Sequence, residues 1–271
     1  MIFFVEINNR AYKIDSGNPI DISIPLIFNG AQPNAYGAEP ATATACETGG
    51  LIGDTRRGGS CNFEQVKFIP HCNGTHTECA GHITDERIFV YQSLRDSLIP
   101  VALVSVLTEN AFQTEETYPV KLNAEDRLIT KKILRNRLEN TDANWLDALI
   151  IRTLPNDASK KSRAYMEHPA PFFSTEAINY ISEKGVKHLL VDMPSIDRAF
   201  DAGKLSNHRI FWNIAPKSRS LDEASLIHNT ITEMIYVPNE IEDGAYILNL
   251  QIASFAADAS PSRPLLFKIY G

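Results

Sequence analysis

Cysteine is scarce and unevenly placed in this chain of 271 residues, which carries 44% hydrophobic and 22% charged residues. All four cysteines lie between positions 46 and 79, at spacings of 15, 11 and 7 residues. Those spacings exclude the short Cys-x-x-Cys pairs of a structural zinc knuckle. A chain of this length can also bury a large core without disulfides. The cysteines are Cys46, Cys61, Cys72 and Cys79.

The sequence also lacks long hydrophobic runs and basic stripes. No run approaches the roughly 18 apolar residues of a transmembrane helix, and residues 1–15 have neither the cationic start nor the apolar centre of a secretory signal. The 26 basic and 33 acidic residues give a net charge of −7. We therefore expect a cytoplasmic, soluble protein with no nucleic-acid partner and no membrane partner.

The hydrophobic pattern predicts a mixed α/β chain, which we interpret as one domain over residues 1–271. Alternating or continuous apolar segments predict strands, while a spacing of three to four residues with capping residues predicts helices. Asn123 is the predicted N-cap of the first helix and Ser174 of the second, which Gly185 ends. The predicted strands include 2–14 (a pair), 19–27, 64–69, 99–107, 147–152, 186–193, 245–254 and 264–270; the predicted helices are 124–140 and 175–184.

The segment from Pro70 to His82 holds three histidines, two cysteines and one glutamate. Each of these side chain types can bind a divalent metal. An extended segment would direct Cys72, His76 and Glu78 to one point, with His82 close enough to transfer protons. Two other interpretations stay open: a structural loop with core cysteines, and a thiol enzyme that uses Cys72 or Cys79 with one of these histidines as base.

These residues resemble the signature of the cyclase-like metal-dependent hydrolases, a family that includes bacterial kynurenine formamidase and isatin hydrolase. The family pattern runs His-x-Gly-Thr-His-x-Asp-x-x-x-His, and this chain has Gly74-Thr75-His76 followed by Glu78 and His82. Other segments resemble the family in the same order along the chain. They are 21–26 (DISIPL), 149–153 (LIIRT), 185–197 (ending VDMPSID), His208, Glu233 and 258–264 (DASPSRP).

Two positions depart from the family pattern. Cys72 stands where the family has its first histidine, and Glu78 replaces the aspartate. A thiolate ligand favours zinc over manganese, so we expect zinc, with manganese as the alternative. His71 is the other candidate for the first ligand, but neighbours in a regular strand point to opposite faces, which favours Cys72. A family member that binds a metabolite or a metal without turnover is the alternative function.

The resemblance implies a swivelling β/β/α domain, with a central barrel-like mixed β-sheet flanked by helices, in a homodimer or tetramer. It implies a metal-dependent amidohydrolase with Cys72, His76 and Glu78 as metal ligands and His82 as the proton-transfer residue. His208 and Glu233 would hold a second metal or contact the substrate. The best substrate is N-formylkynurenine, a small-molecule formamide of tryptophan catabolism, which an arylformamidase converts to kynurenine and formate.

Four aromatic side chains allow two interpretations. Phe172, Phe173, Trp212 and Tyr236 would line a pocket for an aryl substrate, or they pack in the core, which is the more common place for such residues.

Overall fold

The computed structural model describes residues 1–270; Gly271, the last residue of the predicted domain, lies outside the described range. The α-helices are short: α1 (Pro70–Asn73), α2 (Val90–Ser93), α3 (Lys131–Leu138), α4 (Thr175–Glu183) and α5 (Ser206–Phe211). The strands are β1 (Ile2–Ile7), β2 (Arg10–Asp15), β3 (Ile20–Asp21), β4 (Thr42–Ala45), β5 (Glu47–Thr48), β6 (Leu51–Ile52), β7 (Glu64–Lys67), β8 (His76–Glu78), β9 (Ile99–Leu107), β10 (Glu109–Asn110), β11 (Arg127–Ile129), β12 (Ala148–Leu154), β13 (Phe172–Phe173), β14 (His188–Val191), β15 (Thr230–Glu233), β16 (Gly244–Asn249), β17 (Ala259–Pro261) and β18 (Leu265–Tyr270).

A mixed sheet of eleven strands forms the centre of the molecule. Its strands follow the order β1-β2-β18-β16-β9-β12-β14-β15-β8-β17, with β3 beside β18. The strands from β9 to β15 along this order are parallel, whereas β16, β18, β8 and β17 pair antiparallel with their neighbours. The predicted α/β class, a central mixed sheet flanked by helices, is confirmed.

Both faces of the central strands are buried, as their continuous apolar sequences require. Ala102, Val104 and Val106 of β9 point to one face and pack with the helices α3, α4 and α5. Val101 and Leu103 point to the other face and pack against β16 and β18. No helix within residues 1–270 combines the length and the apolar character needed to span a membrane.

Helix α4 forms where the sequence predicts it. The Ser174 hydroxyl accepts a hydrogen bond from the Ala177 N–H at 3.0 Å, which satisfies a free amide of the first turn. Ala177, Ile178 and Ile181 are fully buried against the sheet. Gly185 follows the helix at φ +77°, a left-handed conformation that glycine adopts without steric cost.

The helix predicted over 124–140 starts later than the sequence indicates. Residues Arg127–Ile129 form β11, which pairs with β10 and β13, and Leu128 is fully buried there. The N-cap is therefore Thr130, whose hydroxyl accepts from the Ile133 N–H, rather than Asn123. Strand pairing and burial outweigh the local helix signal.

The strand predicted over 19–27 is also shorter, because only Ile20–Asp21 pairs with β18. The Asp21 carboxylate accepts from both the N–H and the hydroxyl of Ser23, at 2.9 and 2.6 Å. This side-chain turn ends the strand, and Pro25 beyond it has no N–H to donate to a ladder.

Candidate metal centre

Strand β8 supplies the centre of the site, because it lies between β15 and β17. His76 and Glu78 are two residues apart and therefore share one face of the strand. His76 is the register partner of Glu233 on β15, and Glu78 is the partner of Ala259 on β17. All three of His76, Glu78 and Glu233 are buried. The sheet register thus brings together three side chains that are far apart in the sequence.

His71 reaches this face from the single turn of α1. Its Nδ1 lies 2.9 Å from Glu78 Oε2, and its Nε2 lies 2.9 Å from Asp258 Oδ2. Asp258 immediately precedes β17, so the same strand pair that places Glu78 also places this second carboxylate. His71 therefore bridges two carboxylates of the site.

The structure differs from the sequence prediction at Cys72. The prediction assumed an extended segment, but Pro70 begins a helical turn in which the N–H groups of Cys72 and Asn73 both donate to the Ile69 carbonyl. In a helix, successive side chains are about 100° apart rather than opposite. His71 consequently faces Glu78, and the Cys72 thiol belongs to none of the His/Asp/Glu groups that gather at the site.

His82 lies at the open side of the site, at the end of the short turn Ala80–His82. Its Nδ1 is 3.2 Å from Asp258 Oδ2, and its Nε2 is 4.0 Å from Glu78 Oε2. The ring stacks on His71 with 4.2 Å between centroids. The His82 side chain is 28% exposed, against 1% for Glu78. His82 therefore lies at the partly exposed edge of the group, whereas Glu78 lies in its interior.

His208 closes the opposite side from helix α5. Its Nε2 is 2.9 Å from Glu78 Oε1, and its Nδ1 is 2.7 Å from Asp197 Oδ2. The Asp197 carboxylate also accepts hydrogen bonds from the Tyr118 hydroxyl and from the N–H of Asn207. Because the Asp197 carboxylate can only accept, the contact places a proton of His208 on Nδ1. The ring is thereby oriented with Nε2 towards the site.

The loop that carries Asp197 is anchored by a buried ion pair. The Lys160 ammonium lies 2.8 Å from Asp192 Oδ2, and Asp192 also accepts from the N–H and hydroxyl of Thr153. Further along the loop, the Ile196 N–H donates to Glu233 Oε1 at 3.0 Å. The loop therefore holds both Asp197 and Glu233 in place.

His76 carries the observation that favours a bound cation. Its Nδ1 lies 3.0 Å from the Gly74 carbonyl oxygen, which can only accept, so the ring proton resides on Nδ1. Within residues 1–270, the buried Nε2 has no hydrogen-bond partner, and it lies 3.5 Å from Glu233 Oε2. A lone pair that faces a carboxylate in a buried place is unfavourable unless a cation or a proton lies between them. The donor set of imidazole nitrogens and carboxylate oxygens fits zinc.

Three overlapping groups of possible metal ligands meet here, and within each group the ligand atoms lie within 4.8 Å of one another. Five of the six residues predicted from the sequence belong to them: His76, Glu78, His82, His208 and Glu233. The groups are His71, His76 and Glu78; His71, His82 and Asp258; and Glu78, His208 and Glu233.

Burial and the close contacts between histidines and carboxylates shift the pKa values of the site residues. Burial alone raises the pKa of Glu78, but the positive charges of His82 and His208 and two hydrogen bonds hold it well below its usual range. Burial and the neighbouring charge of Glu78 raise the pKa of Glu233. Burial lowers the pKa of His71, but hydrogen bonds to Asp258 and Glu78 outweigh it and raise the pKa to about 10. In the metal-free protein, protons on residues such as His71 therefore supply the positive charge that a bound metal would supply.

Sequence reasoning gave no role to three residues of the site. Asp258 begins one segment that resembles the family, and Asp197 ends another. The resemblance therefore covered both positions without assigning either a role. Tyr36 lies in no segment that resembles the family, so the sequence did not indicate it. In the structure it adopts a left-handed backbone at φ +57°, which is rare for an aromatic residue. Burial raises the pKa of its hydroxyl, and the negative charge of Glu233 raises it further. Tyr36 is therefore a neutral hydroxyl beside the site.

The thiol-enzyme interpretation loses support. Burial and then the charge of Glu233 raise the pKa of Cys72, and burial raises the pKa of Cys79 to about 11. A nucleophilic cysteine needs the opposite shift, because the thiolate is the reactive form.

The four aromatic residues pack in the core. Phe172, Phe173 and Trp212 are at most 1% exposed, and Tyr236 packs with Ile24 and Met234. The Trp212 ring lies 5.4 Å from that of His208 and its indole N–H donates to the Asn229 carbonyl. Trp212 thus packs beside His208 in the core and does not line an open pocket.

Comparison with known sequences gives two matches over most of the chain. A family model described as "Putative cyclase" matches residues 20–198. The kynurenine formamidase of Bacillus cytotoxicus is 21% identical over 210 residues, which cover 77% of this chain and 81% of that protein.

Solved structures show the same fold at low sequence identity. An isatin hydrolase bound to the product analogue thioisatinate superposes with a TM-score of 0.62 at 14% identity and covers 93% of both chains. Isatin hydrolase A from Labrenzia aggregata, bound to benzyl benzoate, gives 0.59 at 13% identity over 92% of this chain and 93% of its own. A predicted metal-dependent hydrolase from Bacillus stearothermophilus gives 0.56 at 15% identity over 92% of this chain and 98% of its own.

Proposed function

Because this chain belongs to the cyclase family whose model matches residues 20–198, we propose that it is a metal-dependent hydrolase of a non-peptide carbon–nitrogen bond. The observation that carries the proposal is the buried, unpartnered Nε2 of His76, which faces the Glu233 carboxylate at 3.5 Å. The sequence match to a kynurenine formamidase and the fold shared with isatin hydrolases support the choice of hydrolysis.

We assign the metal to the group of His71, His76 and Glu78. His71 and His76 offer imidazole nitrogens, and Glu78 offers a carboxylate oxygen, so that the set contains two neutral ligands and one anion. His208 and Glu233 would complete the site, where they would hold a second ion or contact the substrate. When bound, a divalent metal lowers the pKa of a water molecule and polarises the substrate carbonyl.

The chain's own residues then perform the proton transfers and the positioning. His82 stands at the open side and takes a proton from the attacking water, which it later delivers to the leaving amine. Asp258 lies 3.2 Å from His82 Nδ1 and orients the ring with Nε2 towards the site. The Asp197 carboxylate holds His208 in one orientation by the 2.7 Å contact to Nδ1.

For the substrate we propose an aryl formamide, with N-formylkynurenine as the first compound to assay. Its hydrolysis gives kynurenine and formate. The relation to the kynurenine formamidase of Bacillus cytotoxicus supports this choice over the lactam ring that an isatin hydrolase opens.

The experiment is an assay of purified, zinc-loaded or manganese-loaded protein on N-formylkynurenine and isatin, before and after treatment with a chelator. We expect cleavage of one of them that the chelator abolishes and added metal restores. A metal-loaded protein that cleaves neither compound would favour the alternative, a family member that binds a metabolite without turnover. Activity that survives the chelator but not a thiol alkylator would contradict the metal mechanism.

A further inference from the structure

A cavity lies on the side of helix α5 that faces away from the candidate metal centre. Its volume is about 610 Å³, within the range of small-molecule sites. Ile210 and Ile214 form an apolar wall, and Pro119 also lines the cavity. The cavity is therefore large enough, and apolar enough, to hold the body of a small ligand.

Three cationic residues line the same cavity. Lys204, Arg209 and Lys217 all line the cavity, and none of its lining residues is acidic. The chain as a whole has a net charge of −7, so this group of cations stands out against an acidic molecule. Charge complementarity points to an anionic ligand.

Two of the cations are held in place by backbone carbonyls. Arg209 donates from Nε to the Lys204 carbonyl at 3.0 Å and from Nη1 to the Ser218 carbonyl at 2.6 Å. The Lys204 ammonium donates to the Pro119 carbonyl at 2.7 Å. These partners are neutral, so the positive charges at the cavity keep their attraction for an anion.

Within residues 1–270, the buried carboxylate of Asp201 on the same segment forms no ion pair with these cations, although its charge acts on Arg209. Asp201 is 5% exposed, and its oxygens accept from the N–H groups of Gly203 and Leu205. Its side chain is thus turned into the backbone of the 201–205 turn and does not line the cavity.

The cavity and the metal centre use opposite sides of α5. Ser206, Arg209 and Ile210 line the cavity, whereas His208 and Phe211 are buried on the side of the sheet. A ligand in the cavity would therefore leave the His/Glu groups unobstructed.

We propose that this cavity binds a small amphipathic anion, with its carboxylate at Lys204, Arg209 and Lys217 and its apolar body against the Ile210–Ile214 wall. The proposal is independent of the proposed hydrolase activity, because it rests on the cavity and its charges alone.

Calorimetric titration with octanoate, and with octanamide as the neutral control, tests this site on the chelator-treated and the zinc-loaded full chain. Octanoate should bind about tenfold or more tightly than octanamide, with the same affinity in both forms of the protein. Lys217→Glu should weaken octanoate binding by about tenfold, and Lys204→Glu by a similar factor. Lys67→Glu, a matched charge reversal on the exposed strand β7, should leave the affinity unchanged.

Equal binding of octanoate and octanamide would overturn the proposal, as would an equal effect of Lys217→Glu and Lys67→Glu. Loss of binding on zinc loading would place the anion at the histidines instead. A dimer that dissociates on Lys217→Glu would show that a second copy of the chain covers the cavity, and this result would also overturn the proposal.

Discussion

At the scale of single residues, the account depends on which side chain of the 70–82 segment faces Glu78. His71 does so at 2.9 Å because α1 begins at Pro70. Cys72 follows in the same turn, and its thiol is not among the grouped ligand atoms. The chemistry of the site is therefore that of imidazole and carboxylate, which fits zinc without a sulfur ligand.

The variant His82→Ala should keep its metal and lose most of its turnover. His82 belongs to the exposed edge of the site and is 4.0 Å from Glu78, so its removal leaves the His71, His76 and Glu78 group intact. Loss of a general acid–base residue typically lowers kcat by about a hundredfold or more. Metal analysis and kinetics of the same preparation measure both effects, with His168→Ala at an exposed histidine as the control. Full activity of His82→Ala would disprove the assigned role.

Metal binding should release protons. Hydrogen bonds to carboxylates raise the pKa of His71 to about 10, and Glu78 and Asp197 raise the pKa of His208 well above 6.5, although burial alone would lower both. Both rings are therefore protonated in the metal-free protein at neutral pH, whereas a metal ligand must be neutral.

Calorimetry of zinc binding at pH 7.5 in buffers of different ionisation heats measures this release, for which we expect about one or two protons per ion. Zinc affinity should rise with pH and level off near the raised pKa of His71, about 10. The raised pKa values of His71 and His208 also stabilise the metal-free fold. This contribution is fully present below about pH 6.5, the pKa of an unperturbed histidine, and is lost as the pH rises through the raised pKa values. Binding without proton release would contradict the assigned protonation.

At the scale of elements, local signals predicted the structure wherever they agreed with the sheet. Helix α4 follows its N-cap Ser174 and its buried apolar face, and β9 and β12 follow their continuous apolar sequences. The helix over 124–140 and the strand over 19–27 were wrong at their boundaries. There, the pairing of β11 and the Asp21 side-chain turn decide the structure, and neither is visible as a periodic pattern.

The cap of α4 can be tested by Ser174→Ala. The Ser174 hydroxyl accepts from the Ala177 N–H and donates to Glu116 Oε2, so its removal should lower the free energy of unfolding by about 1–2 kcal/mol. The neighbouring hydroxyl of Thr175 has no hydrogen-bond partner in the described part of the chain, which makes Thr175→Ala the matched control. Chemical denaturation measures both variants, and an equal loss in the two would contradict the capping role.

At the scale of the whole molecule, the candidate metal centre combines residues that are far apart in the sequence. Their proximity cannot be predicted from their spacing along the chain. The 70–82 cluster alone indicated His76, Glu78 and His82. His208 and Glu233 were predicted only through the family resemblance, because their approach depends on the β15–β8 register and on the α5–Asp197 contacts. The preference for Cys72 over His71 assumed a regular strand, whereas the structure has a single helical turn at Pro70–Asn73.

The assembly is a further prediction at this scale. The family resemblance implies a homodimer or tetramer, and we propose the same for this chain of 30.2 kDa. Sedimentation equilibrium should give two or four times the chain mass. A single chain mass at micromolar concentration would contradict the proposal.

The most direct test of the account is X-ray absorption at the zinc edge of the zinc-loaded protein, combined with metal analysis of His71→Ala and Cys72→Ser. We predict only nitrogen and oxygen ligands at about 2.0–2.2 Å, zinc retained by Cys72→Ser, and zinc weakened at least tenfold in His71→Ala. A sulfur ligand at about 2.3 Å, or zinc retained by His71→Ala and lost by Cys72→Ser, would contradict it.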